Sequence, residues 1–69
     1  MIEVFATNVT SVESANEIVE KLSYLFPNSK INFDLSDVDN ILRVEGSDFN
    51  VQSVIECLQI LKFTCQPLV

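Results

Sequence analysis

Apolar residues in this chain recur at every second position, then at every third or fourth, and the switching between those spacings limits the fold. Residues 2–9 are rich in β-branched and aromatic side chains and read as a strand. Val12, Ala15, Ile18, Val19, Leu22, Leu25 and Phe26 then form one apolar stripe at helical spacing, with Glu13, Glu17, Glu20 and Lys21 mostly on the other side. Thr10 and Glu13 fit a capping box, in which each side chain takes the other's free amide, and Pro27-Asn28 stops the helix. Residues 30–35 alternate, with Ile31, Phe33 and Leu35 facing one way and Asn32 and Asp34 the other. Residues 36–40 are turn formers, and residues 41–45 return with Leu42 and Val44 inward. Gly46 ends that strand, and Ser47 or Asp48 is placed to cap a second helix bearing Val51, Val54, Ile55, Leu58 and Leu61. Residues 63–69 read as a last strand, which Pro67 confines to an edge.

The order is therefore β-α-β-β-α-β, an α+β chain of the split βαβ, ferredoxin-like kind. Short, right-handed connections favour a four-stranded antiparallel sheet in the order 4-1-3-2 with both helices on one face. Sixty-nine residues allow one domain, 1–69, whose core is thin because a chain this size buries only about 60% of its unfolded surface.

Charge and composition exclude several functions. Ten acids against four bases give a net charge of −6, so neither a phosphate backbone nor an anionic membrane is an expected partner. No apolar run reaches the roughly 18 residues that span a bilayer, and no basic stretch precedes an apolar one at the N-terminus. Two cysteines are too few for a disulfide framework, and we expect a cytoplasmic, reduced protein. The chain has no histidine to titrate near neutral pH, one glycine, and no nucleophile-elbow, phosphate-loop or zinc motif. It is expected to be no enzyme and to carry no cofactor. Asp34, Asp37, Asp39 and Asn40 lack the spacing of a calcium loop and read as a solvated turn. Cys57 and Cys65 are expected to be small buried hydrophobes; a metal or redox pair is the alternative, since sequential helix and strand bring them close.

Three local stretches add to the element order: Phe5-x-Thr7-Asn8-Val9 in the first strand, Ile41-Leu42-Arg43-Val44-Glu45-Gly46 in the third, and Phe63-Thr64-Cys65 at the start of the last. Over nearly its whole length the chain resembles the heavy-metal-associated domain, the small fold of copper chaperones. That family carries C-x-x-C at the junction of the first strand and helix, where this chain reads Ser11-x-x-Ser14. Copper(I) and zinc carriers need paired, deprotonatable sulfur, and serine hydroxyls do not supply it. The resemblance thus implies the scaffold without its usual metal site, and Ser11 and Ser14 are expected to serve the first turn of the helix.

The resemblance also implies a register that turns Phe5, Thr7 and Val9 toward the helices, and alternation then leaves Ile2, Val4 and Ala6, joined by Ile41, on the opposite sheet face. Antiparallel sheets usually set polar residues there. Here those residues are expected to form an apolar patch rimmed by Asn32, Asp34, Arg43 and Glu45, with Glu3 pointing to the helix side near the sheet end. A contiguous apolar patch marks an interface. The expected function is a non-catalytic interaction module that binds a protein partner or forms a homodimer through this face. The alternative is a copper or zinc carrier using a non-standard site such as Cys57 and Cys65.

Overall fold

The computed structural model describes residues 1–47 and 49–68, ordered β1 (Ile2–Thr7), α1 (Val12–Leu25), β2 (Lys30–Asp34), β3 (Ile41–Glu45), α2 (Val51–Ile60) and β4 (Cys65–Pro67). The strands form one antiparallel sheet in the order β2-β3-β1-β4, the expected order read from its other edge. Strand alternation sends Phe5, Leu42, Val44 and Ile31 to one face. There they share a single core with Ala15, Ile18 and Leu22 of α1 and with Val54, Cys57 and Leu58 of α2. Both helices are thus committed to that face.

Strand β1 stops at Thr7, not at residue 9, and the Thr7 side chain bonds main chain at that end. Its Oγ1 accepts the Val9 amide at 3.2 Å and donates to the Asn40 carbonyl at 2.6 Å. Val9 is nevertheless fully buried. Strand β4 spans only Cys65–Pro67; Val69, which the sequence reading included, lies outside the described residues. β4 is an edge strand, the position proline tolerates.

Both helix caps differ from the sequence expectation. Helix α1 starts at Val12, so its cap is Ser11 and not Thr10. Helix α2 starts at Val51 and is capped by Asn50, whose Oδ1 accepts the Ser53 amide at 3.2 Å; Ser47 lies too far upstream, and Asp48 is outside the described residues. Phe49, next to that cap, is buried with Val54 in the core, at the spacing of a hydrophobic staple. The stripe on α1 is narrower than its spacing suggests, since Val12 and Leu25 at its ends are 66% and 53% exposed.

Helix α2 ends in a Schellman motif. The Phe63 amide donates to the Leu58 carbonyl at 2.8 Å and the Lys62 amide to the Gln59 carbonyl at 2.9 Å, which puts Lys62 in the left-handed region at φ 75°. Gly46 is required for a different reason. A Cβ there would lie 2.5 Å from Ser29 Oγ and 3.0 Å from Ser29 Cα, so the turn into β2 approaches too closely for a side chain.

Candidate functional site

The entrance to α1 is a pinned loop. Ser11 has extended backbone angles (φ −110°, ψ 145°), and its Oγ accepts the Ser14 amide at 3.1 Å. Ahead of it, Thr7 is bonded to the β2–β3 turn through Asp39 and Asn40. Asn8 Oδ1 accepts the Thr64 amide at 2.8 Å, tying the same loop to the approach to β4. The sequence points to Ser11 and Ser14 at this junction, and the structure adds the side chains of Thr7 and Asn8. Only the local bond has a sequence signal, since a threonine at a strand end bonds main chain two residues on, as Thr7 does with Val9; the partners at Asn40 and Thr64 are far along the chain.

This geometry makes Ser11 the N-cap of α1. One lone pair of Ser11 is spent on a helix amide that otherwise has no partner, and Ser14 contributes that main-chain amide. The donor set does not fit a soft cation, because hydroxyl oxygens are hard and stay protonated near neutral pH. Among the described residues, no three His, Cys, Asp or Glu side chains are grouped to hold a metal ion.

The two thiols lie elsewhere. Cys57 is buried on the core side of α2, whereas Cys65 on β4 is half-buried, less covered than the sequence suggested; both are free. Burial pushes the Cys65 thiol up to about 12, and the neighbouring Cys57 adds to the rise. Burial also raises Cys57, opposed in part by the Lys21 ammonium. Both remain thiols, not thiolates, at neutral pH.

Two acids of the hairpin turn each accept bonds from within it. Asp34 Oδ1 accepts the Ser36 hydroxyl at 2.5 Å and the Ser36 amide at 3.1 Å, and Asp37 Oδ1 accepts the Asp39 amide at 2.9 Å. The Ser36 hydroxyl, followed by its amide, lowers the Asp34 carboxyl below its ordinary value.

The sheet face away from the helices carries Ile2, which is exposed, and Val4, Ala6 and Ile41, which are half-buried. The register sets Ala6 beside Ile41, one step beyond the Phe5–Leu42 pair, and sets Val4 beside Arg43. The Leu68 amide donates to the Val4 carbonyl at 2.8 Å, and the alternation of β4 carries Leu68, 44% exposed, onto the same face. Leu68 had no assigned face in the sequence reading, because the register of the last strand was not legible there. Lys30, Asn32, Asp34, Arg43 and Glu45 occupy the β2–β3 half of this face. Glu3, paired with Val44, stands on the helix side at the sheet end.

The βαββαβ order, the antiparallel sheet and the shared helix face define a ferredoxin-like α+β domain. Among solved structures the chain is similar to the yeast copper transporter domain Ccc2A, determined in solution in its apo and Cu(I)-loaded states. The match has a TM-score of 0.82 at 23% sequence identity and covers 99% of this chain and 94% of that one. At that identity the likeness establishes the fold. No protein-family model matches the chain, and no curated protein sequence matches it. Among the described residues, no helix is long and apolar enough to cross a membrane.

Proposed function

We propose that this domain works by protein contact across its open sheet face, and that it neither catalyses a reaction nor carries a metal at the α1 entrance. The observation that carries this reading is the run Ile2, Val4, Ala6 and Ile41 on the face that no helix covers. An apolar run of which Ile2 is exposed and the rest half-buried still offers surface for association, and a domain with so thin a core is stabilised by whatever binds its folded form. The Ser11 cap supports the second half of the reading, since one lone pair of the oxygen at the first of the two positions where the resembled family carries its ligands is spent on the Ser14 amide. The net charge of −6 sets aside nucleic acid and anionic membrane as partners, and the free cysteines suit a reducing cytoplasm.

One observation favours a second reading, copper or zinc bound by Cys57 and Cys65: the two thiols are near enough for one to raise the other. Against it, both thiols are shifted toward the protonated form, and a metal must displace those protons to bind.

The test is a photo-crosslinking residue at position 2, compared with one at Val38, which is 93% exposed on the hairpin turn. Crosslinked protein from position 2 in cells, with none from position 38, is the expected outcome. No crosslink from position 2 contradicts the reading.

A further inference from the structure

Resting on that reading, we infer that the protein this face takes is a second copy of the same chain, packed sheet to sheet about a two-fold axis running across the strands. The register arranges the open face in three rows. Lys30, Glu45 and Ile2 form the first; Asn32, Arg43, Val4 and Leu68 the second; Asp34, Ile41, Ala6 and Gln66 the third. The face carries two basic and two acidic side chains, so its charges cancel, while the whole chain is −6. The excess acid lies off this face, notably Glu13, Glu17 and Glu20 on α1. Two copies therefore meet here without the repulsion they would feel elsewhere.

The pattern is also self-complementary. A two-fold axis along the middle row exchanges the first and third rows between copies. Lys30 then faces Asp34 of the partner subunit, twice per dimer. Ile2 faces Ala6 of the partner subunit, and Val4 and Leu68 each face their own counterparts. Arg43 meets its counterpart at the axis, between the Glu45 carboxylates of the two copies. Glu45 lies over Ile41 of the partner subunit and covers it with its methylenes. An axis along the strands would instead set Arg43 over Val4 and Glu45 over Ile2 and part Lys30 from Asp34, so that the charges of the face meet apolar surface with no ion pair across the interface to offset their burial. The favoured axis leaves the strands of the two sheets nearly aligned, as packed sheets prefer, at about 10 Å separation.

The groove between α1 and α2, with Leu25 and Ile60 exposed at its edge, is the competing apolar surface; its rim offers Lys21 and Glu56 and no comparable pattern. Sedimentation equilibrium of the purified chain separates these cases. The wild type is expected at twice the 7.8 kDa chain mass, Val4→Lys at one chain mass, and Ile60→Lys at the dimer mass. Lys30→Asp and Asp34→Lys are each expected to weaken association at least about tenfold. Mixed in equal amounts, those two variants restore both ion pairs and recover a dimer. Thermal unfolding of each variant confirms that it is folded. A monomeric wild type, loss of the dimer in Ile60→Lys but not in Val4→Lys, or a mixture that stays monomeric overturns the inference. A wild-type monomer whose position 2 still crosslinks to another protein leaves the contact reading standing.

Discussion

The Ser11 hydroxyl accepts the Ser14 amide at 3.1 Å, so the two positions where the resembled family carries its thiols are joined here as cap and capped amide. The bond places the hydroxyl against the helix, where it satisfies one of the amides left over in the first turn. Glu13 in the same turn adds a carboxylate at the positive end of the helix dipole. This junction is therefore a structural device that stabilises α1.

Removing the cap tests that role. Ser11→Ala should cost about 1 kcal/mol of stability, read from urea denaturation. Ser14→Ala should stay within about 0.5 kcal/mol, because Ser14 serves the cap with its main chain. Equal losses from both variants would show that the cap is not what Ser11 contributes.

Lys62 sits at φ 75° at the Schellman position after α2, where a Cβ is strained and glycine is not. Lys62→Gly should raise stability by about 0.5–1 kcal/mol, the relief of strain exceeding the greater freedom of glycine in the unfolded chain. Asn40, at φ 47°, should gain less from the same change, since asparagine tolerates that conformation. A destabilised Lys62→Gly would place the value of Lys62 in its side chain.

The thiol of Cys65 makes stability depend on alkaline pH. Its value in the fold is about 12, against an ordinary value of 9.0, so above pH 9 the unfolded chain loses this proton before the folded one does. Folding then retains more protons than unfolding, and stability falls as pH rises from about 9 toward 12. The stability of Cys65→Ala should fall less over that window, measured as the difference between the two denaturation curves. Identical slopes would mean that Cys65 is not held as a thiol by its surroundings.

The core was legible where alternation and helical spacing spoke together: Phe5, Leu42, Val44, Ile18, Leu22, Val54 and Leu58 all fall inside, as their spacing requires. Element ends were less legible, because they are decided by single polar side chains competing for main-chain groups. Thr10 and Ser11 are both good caps by residue type, and the helix takes the second, whose hydroxyl accepts the Ser14 amide. Asn50, not Ser47, caps α2, and Phe49 beside it is buried in the core. At the α1 entrance the sequence sets Ser11 and Ser14 where the resembled family carries its thiols. It did not show the bonds from Thr7 to Asn40 and from Asn8 to Thr64, which join positions 33 and 56 residues apart.

The central claim is that the oxygens at the α1 entrance hold no soft cation. The most direct measurement is a reducing, anaerobic titration of the Cys57→Ser, Cys65→Ser chain with Cu(I) against a coloured Cu(I) chelator. This chain should leave the metal on the chelator, and adding Ser11→Cys and Ser14→Cys should let it withdraw one Cu(I) per chain. Stoichiometric withdrawal of Cu(I) by the chain that keeps Ser11 and Ser14 and lacks both cysteines would contradict the account.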